Sequence, residues 1–225
     1  MNIKTIEYIT DFLDNPKIID TKLLSDDMLR QIPDWWKECF KYPNGERVKF
    51  VVQKWRSMEA FLPITLTFLE NNLTEVEFVS HSGSPISMIY KFEFENTEPS
   101  YYEGRVCASY ETIQHNIPLG LKKFYTELHN GWTEVASDAL GPMPVEKLYT
   151  VTDGGWELED TDFDTDNLLV VFNNGGSGYL CADLQKPETS CVIWWNDDAP
   201  MPQTSFWGVM DAWIEIGFED LNGYG

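Results

Sequence analysis

The sequence predicts an α+β fold, with strands and helices in one chain. Short runs of β-branched and aromatic residues, such as LLVVF at residues 168–172, are typical of strands, and amphipathic runs, such as residues 206–218, are typical of helices. The two kinds of run do not alternate regularly, so a parallel sheet built from βαβ units is not expected. The chain has 225 residues, of which 43% are hydrophobic, and can therefore bury a sizeable core.

The secondary structure of the first half is predicted from the spacing of its apolar residues and from its turn residues. Its predicted elements are, in order, helices over residues 3–13 and 23–40, the second interrupted by Pro33, a turn at Asn44-Gly45, and strands over residues 48–55, 76–79 and 86–94. Residues 61–69 fit strand spacing and helix spacing about equally. A polar segment at residues 96–100 predicts a boundary between two regions of the chain. We therefore assign residues 1–105 to an N-terminal α+β region, either separate or part of the same fold, and residues 106–225 to an α+β domain.

The second half is more regularly patterned. Its predicted elements are a helix that begins near Ile117-Pro118 and ends at Asn130-Gly131, a strand over residues 148–151, an acidic loop over residues 157–166, a strand over residues 191–195 and a helix over residues 206–218. The stretch LLVVFNNGGSGYLCADL at 168–184 predicts a β-hairpin. Glycine clusters such as NNGGSG can bind phosphate, but no helix bearing a lysine follows this one. The glycines are therefore expected to form a tight turn.

The charge of the chain limits the partners it can bind. The formal net charge is −21, which repels nucleic-acid phosphates and anionic membrane surfaces and attracts a basic protein. The alternative is that the charge serves solubility alone. A cytoplasmic protein is expected, because no signal peptide or apolar run of about 20 residues is found. The cysteines are expected to be buried free thiols, with a Cys181–Cys191 bridge as the alternative.

Acidic residues alternate within the segment ELEDTDFDTDN. These are Asp160, Asp162, Asp164 and Asp166. A calcium loop of the EF-hand type needs a glycine at its sixth position and a glutamate at its twelfth, and both are missing in either register. The three histidines are too widely spaced to suggest a zinc site. We therefore expect no metal and no cofactor. The segment is interpreted as a solvated acidic loop or a surface that faces a partner.

Two adjacent tryptophans follow on the predicted strand at 191–195. Neighbouring residues of a strand point to opposite faces, so one of Trp194 and Trp195 should enter the core and the other should face a second layer, a groove or solvent. Asp197 and Asp198 follow directly. An aromatic side chain beside acids suits a protein interface, and packing by the N-terminal region is the alternative. The candidate partner-binding residues are Asp160, Asp162, Asp164, Asp166, Trp194, Trp195, Asp197 and Asp198.

The order of elements in the second half resembles the SUKH superfamily, which includes fungal cell-wall-synthesis regulators and bacterial immunity proteins. The resemblance covers about residues 110–221. It is carried by the helix that ends at Asn130-Gly131, the stretch LLVVFNNGGSGYLCADL, the strand CVIWWNDD and the final helix FWGVMDAWIEI. The resemblance implies an α+β domain in which a curved, mostly antiparallel sheet packs against helices. It also implies that the domain binds a protein and does not catalyse a reaction. Bacterial members of this superfamily neutralise toxins, many of them nucleases, so the resemblance implies a toxin as the partner of this chain.

Three functions therefore remain open from the sequence. The first is a non-enzymatic immunity protein that neutralises a basic toxin domain. The second is a regulatory scaffold of the cell-wall-synthesis-regulator type. The third is a hydrolase that uses paired carboxylates, which an acidic chain always supplies. The sequence names neither the toxin nor the oligomeric state.

Overall fold

A computed structural model describes residues 3–20, 22, 24–95, 97–156, 163–196 and 198–221. The fold is α+β, with two antiparallel sheets and helices that pack on them. The helices are α1 (Ile3–Ile9), α2 (Asp26–Gln31), α3 (Asp34–Cys39), α4 (Asn44–Trp55), α5 (Pro63–Asn72), α6 (Leu119–Lys123), continued by a π-helix (Phe124–Leu128), and α7 (Phe206–Leu221). The strands are β1 (Lys17–Ile18), β2 (Leu73–His81), β3 (Ser84–Phe92), β4 (Ser100–Arg105), β5 (Trp132–Glu134), β6 (Gly141–Pro142), β7 (Tyr149–Thr150), β8 (Leu168–Asn173), β9 (Gly178–Asp183), β10 (Cys191–Trp195) and β11 (Met201–Gln203).

The two sheets are open and only mildly curved. The first has the strand order β1-β2-β3-β4-β5, and the second has the order β11-β10-β9-β8-β6, with β7 also paired to β8. The sheets meet where β5 and β6 are joined by a tight connection, because Glu134 N donates to Ala139 O at 2.8 Å and Leu140 N donates to Asn173 O at 2.8 Å. This connection places β5 of the first sheet next to β6 of the second.

The main hydrophobic core draws residues from both sides of residue 105. It includes Ile32 and Trp55 from the first half and Trp132 and Phe218 from the second. Trp132 stacks on Tyr102 with ring centroids 4.3 Å apart, across the β4–β5 pair. Burial of such large aromatic side chains contributes several kcal/mol of stability each. The predicted boundary at residues 105 and 106 therefore crosses a shared core.

Helix α5 is capped by a residue far away in the sequence. Its N-cap residue, Leu62, has no side chain that could accept a hydrogen bond. Asp211 of α7 supplies the acceptor instead, because its carboxylate accepts from Ile64 N and Thr65 N at 2.9 Å and from Thr65 Oγ1 at 2.7 Å. Asp211 is buried. The three bonds satisfy donors that would otherwise be buried without partners, and they fasten α7 to α5.

Two local predictions in the first half are wrong. Asn44-Gly45 does not form a turn between elements, and residues 48–55 do not form a strand, because residues 44–55 form helix α4. Asn44 instead fixes the start of this helix against β2: its Oδ1 accepts from Val76 N at 3.0 Å and its Nδ2 donates to Thr74 O at 3.3 Å. Residues 61–69, which fitted both spacings, lie mostly in helix α5.

The hairpin of β8 and β9 confirms the turn interpretation of the glycine cluster. Gly175 has a φ of +80°, which favours glycine, and its N–H donates to Asn173 Oδ1 at 2.8 Å. Asn174 Oδ1 accepts from the N–H groups of Gly176 and Gly178 at 3.0 Å each. The side chain of Asn174 therefore binds the N–H groups of the turn internally, where a phosphate cradle would present them to a ligand.

Candidate functional site

The outer face of the second sheet carries a cluster of aromatic side chains. We call Tyr149, Trp156, Tyr179 and Trp194 the outer aromatic cluster. The Trp156 ring lies 5.8 Å from Tyr149, 4.4 Å from Tyr179 and 6.1 Å from Trp194. Tyr149, Trp156 and Tyr179 are each partly exposed. The cluster rests on a small apolar layer, formed by Val151, Leu168, Val170, Cys181 and Val192, that is separate from the main core.

The two adjacent tryptophans of β10 lie on opposite faces of the sheet. Trp195 packs on the inner side against Trp213 of α7, with ring centroids 5.8 Å apart. Gly178, its cross-strand neighbour, leaves room for this ring. Trp194 faces the outer side and is 3% exposed, because Trp156 and its neighbours cover it. The second layer over Trp194 thus includes Trp156 from the segment before β8, and none of the described residues of the region 1–105 belongs to this cluster.

Three of the acidic candidates lie within the described residues, and all three are exposed. Asp164 and Asp166 are exposed in the segment that leads into β8, and Asp198 is exposed after β10. Asp160, Asp162 and Asp197 lie outside the described residues. Asp164 is held in place, because its Oδ2 accepts from Asn167 Nδ2 at 2.8 Å and from Gln185 Nε2 at 3.0 Å.

Negative charge is concentrated in the same part of the chain. Residues 151–200 contain eleven acidic residues and one lysine, so this stretch carries a net charge of −10 out of the total of −21. The stretch includes the strands β8, β9 and β10. It also includes three members of the outer aromatic cluster, namely Trp156, Tyr179 and Trp194. A stretch with this net charge attracts cations.

A groove lies at the other end of the same face, near the start of β8 and β10. We call it the outer groove; its volume is about 280 Å³. Phe163, Leu168 and Val192 supply apolar walls, and Asp164, Asp183 and Lys186 supply charged ones. Asp183 Oδ1 accepts from Gln185 N at 2.9 Å and from Lys186 N at 3.2 Å, which fixes the position of its carboxylate.

A second polar cavity, of about 270 Å³, was not predicted from the sequence. It lies beside the first sheet, where His81 of β2, Ser87 of β3 and Glu103 of β4 form a buried group. His81 Nε2 lies 2.7 Å from Glu103 Oε1, and Ser87 Oγ donates to the same carboxylate oxygen. Arg105 Nε lies 3.5 Å from the other oxygen of Glu103. Glu103 and Arg105 alternate with other residues along β4, and this alternation could have indicated that β4 has one polar face. It could not have indicated that His81 of β2 is the partner of Glu103.

The hydrogen bonds of this group do not match a nucleophilic triad. Gly83 N donates to His81 Nδ1 at 3.1 Å, so the proton of the neutral ring lies on Nε2 and points to Glu103. Ser87 Oγ, at 3.4 Å, faces that same nitrogen. A triad needs the serine and the carboxylate on different ring nitrogens, with the nitrogen near serine free to accept a proton.

The pKa of Glu103 is also unsuited to a general acid. Burial raises its pKa, but the hydrogen bond from His81, the charge of Arg105 and the hydrogen bond from Ser87 outweigh burial and hold the pKa below its usual value. A catalytic acid in a carboxylate pair needs a raised pKa instead. The group is therefore best explained as a satisfied polar network between strands.

His129 is engaged in another buried network. Its Nε2 lies 2.5 Å from Tyr90 Oη, its Nδ1 lies 3.3 Å from Arg105 O, and Trp55 Nε1 donates to Tyr90 Oη at 3.1 Å. Burial lowers the pKa of His129 to about 3, although the Arg105 carbonyl acts in the opposite direction. The neutral ring donates from Nδ1 and accepts at Nε2, so both ring nitrogens of His129 and the hydroxyl of Tyr90 have hydrogen-bond partners.

The cysteines do not form a reactive site. All four are free thiols, and burial raises the pKa of Cys39 and of Cys107 to about 12 and that of Cys191 to about 11. A nucleophilic cysteine needs a lowered pKa. Cys181 and Cys191 pack in different apolar clusters, on opposite faces of the second sheet, which is why they are not bridged.

Within the described parts of the chain, no group of three or more histidine, cysteine or acidic side chains is arranged to hold a metal ion. The described helices include none that is long and apolar enough to cross a membrane. Comparisons of this chain with protein-family models, with curated proteins and with solved structures found no match.

Proposed function

We propose that this chain is a non-enzymatic immunity protein that neutralises a basic toxin domain by covering the cationic surface of the toxin. The observation that carries the proposal is the outer aromatic cluster, in which Tyr149, Trp156 and Tyr179 are partly exposed. All its members except Tyr149 belong to the most acidic stretch of the chain. Aromatic side chains are the usual anchors of protein interfaces, and a surrounding excess of charge speeds the encounter with a partner of opposite sign.

The two parts of this surface have different roles in the proposal. The exposed acids Asp164, Asp166 and Asp198 steer a basic partner toward the outer face. Trp156 is the anchor, because its ring is half-buried and reachable. Trp194 supports Trp156 from below and does not itself touch the partner, since it is 3% exposed. A nuclease is a suitable toxin, because it must be basic where it grips phosphates.

The first expected result concerns the rate of association. Changing Asp160, Asp162, Asp164 and Asp166 together to asparagine should slow association with the basic toxin domain that the chain is proposed to neutralise, and should flatten its salt dependence. The Debye length falls from about 30 Å at 0.01 M salt to about 8 Å at 0.15 M, so steering by exposed charges weakens over this range. Stopped-flow fluorescence across a salt series measures both quantities.

The matched control changes four exposed acids elsewhere to amides, with the same change in net charge. These are Asp11, Asp20, Glu59 and Glu98. The control should alter the association rate much less than the loop variant. Equal effects of the two variants would mean that only net charge matters, and an association rate independent of salt in the wild type would contradict the steering role. Growth of cells that express the toxin, with and without this protein, tests neutralisation itself.

The second expected result concerns the lifetime of the complex. Trp156→Ala should speed dissociation about 30-fold, which corresponds to the loss of about 2 kcal/mol that is typical of an interface anchor. Tyr110→Ala is the control, because Tyr110 is an exposed aromatic residue on a different segment, beside Lys122. Surface plasmon resonance measures both dissociation rates. An unchanged rate in the Trp156 variant would remove the aromatic cluster from the interface.

A further inference from the structure

The first sheet turns one face to the main core, and its opposite face is mostly polar. The register of β2, β3 and β4 aligns three rows of side chains on this opposite face. The rows contain Glu75, Lys91 and Tyr101, then Glu77, Ile89 and Glu103, then Val79, Ser87 and Arg105. Only three of these side chains are apolar, and five carry a charge. Such a face is typical of an antiparallel sheet with one side in water.

The N-terminal part of the chain nevertheless covers this polar face. We call residues 3–19, which comprise α1, β1 and the segment between them, the N-terminal strap. Ile9 of the strap packs with Ile89 in a small apolar cluster that is separate from the main core. Tyr8 stacks on Tyr101 with ring centroids 4.6 Å apart. Apolar contacts therefore hold α1 on a sheet face whose other side chains are polar.

The strap does not pack tightly along the whole face. The polar cavity of about 270 Å³ beside the first sheet lies between the two: Phe12 and Leu13 line it from the strap, and Glu103 and Thr133 line it from the sheet. Phe12 is 45% exposed. Protein interiors leave few voids larger than a water molecule, so this contact differs from the packing of a core.

Few backbone hydrogen bonds attach the strap to the sheet. Among the described residues, these bonds all lie in its second half. Strand β1 pairs with β2 over two residues. Ser82 N donates to Asp14 O at 2.9 Å, and Ile19 N donates to Phe78 O at 2.9 Å. The number of backbone bonds that break when the strap leaves the sheet is therefore small.

The polar face keeps its own hydrogen bonds when the strap is lifted. Glu103 binds His81 and Ser87 and lies beside Arg105, and all four residues belong to the sheet. Water hydrates the polar groups that become exposed, so the cost of opening comes mainly from the apolar contacts of the small cluster.

We infer that the N-terminal strap opens as one unit and uncovers the polar face of the first sheet, while both sheets and the main core stay folded. Segments with few buried apolar contacts open in such local units at a lower free energy than global unfolding. The closed strap keeps solvent and other molecules from Tyr101 and Glu103, and the open strap admits them. The inference is independent of the proposed function, because the outer aromatic cluster belongs to the second sheet.

Hydrogen exchange of the whole chain, followed by ¹⁵N NMR, tests the inference. The amides of Leu13, Ile19 and Ser82 report on the strap, because each donates to a carbonyl whose contact is lost or exposed on opening. After correction for intrinsic rates, they should exchange at least about 100-fold faster than the slowest amides of β3. All three should also share one opening equilibrium, since the strap moves as a unit.

Two substitutions separate opening of the strap from global unfolding. Tyr8→Ala removes a contact that exists only while the strap is closed, so the strap amides and the β3 amides should both exchange about tenfold faster. Val76→Ala removes a buried contact of the main core, which the open state keeps. The β3 amides of that variant should exchange about tenfold faster, and its strap amides should exchange at an unchanged rate.

Two results would overturn the inference. Strap amides that exchange as slowly as those of β3, or that become faster in Val76→Ala, would show that the strap and the core unfold together. Protection that falls steadily from Ile19 to Leu13 would show a chain end that frays residue by residue, without a common opening. Neither result bears on neutralisation of the toxin, which the growth assay measures separately.

Discussion

Replacing Asp211 with alanine should lower the free energy of unfolding by about 3 kcal/mol. The variant leaves Ile64 N, Thr65 N and Thr65 Oγ1 without the acceptor that they share. The loss of a helix cap costs about 0.5–2 kcal/mol, and each buried donor left without a partner costs about 1–3 kcal/mol more, part of which water entry recovers. Urea unfolding followed by tryptophan fluorescence measures the change.

Two further variants show whether the loss comes from the cap. Glu215→Ala lies one turn further along α7 and should change the free energy of unfolding by less than about 0.5 kcal/mol, as substitutions of partly exposed residues usually do. Thr65→Val removes the hydroxyl donor but keeps both backbone bonds to Asp211, so its loss should be intermediate. A loss below about 1 kcal/mol in Asp211→Ala would show that α5 does not depend on this carboxylate.

Lowering the pH from 7.5 to 5 should remove about 2 kcal/mol of stability through His129. In the folded protein burial holds the pKa of His129 at about 3, whereas in the unfolded chain it is about 6.5. Between these values the unfolded chain binds one more proton than the folded one, so stability rises with pH in this window and is lost as the pH falls below about 6.5. Each pH unit in the window is worth about 1.4 kcal/mol.

The measurement is urea unfolding at half-unit steps from pH 7.5 to 5, which stays above the range where carboxylates with ordinary or lowered pKa values become protonated. His115→Gln is the matched control, because His115 is exposed, and it should keep the full pH dependence. His129→Gln should be less stable than the wild type at pH 7.5 but should lose most of the pH dependence. A wild type whose stability is flat between pH 7.5 and 5 would show that His129 is not held neutral.

The elements that the sequence predicts correctly are those set by local patterns. The hairpin of β8 and β9 follows from two apolar runs around NNGGSG, and α7 follows from its amphipathic spacing. Helix α4 was missed because its β-branched residues favour a strand by propensity. Val48, Val51 and Trp55 nevertheless recur at helical spacing, and that periodicity, together with packing on β2, decided the outcome.

The candidate site depends on contacts that no local pattern contains. The concentration of acids beside β10 could be read along the chain, but the position of Trp156 over Trp194 required the fold. The pairing of His81 with Glu103 joins β2 to β4 through the register of β3, and the bond of Asp211 to Thr65 spans 146 residues. Spacing along the chain cannot predict such pairs, since they depend on how the sheets and helices assemble.

The long-range cap of α5 has a consequence for synthesis of the chain on the ribosome. At about 5–20 residues per second, the 146 residues that separate Thr65 from Asp211 take about 7–30 s to translate. During that interval the first turn of α5 has no carboxylate to bind, and the apolar surface that packs against Phe218 and Met210 stays uncovered. The nascent first half is therefore a natural client for chaperones until α7 emerges and completes both the cap and the core.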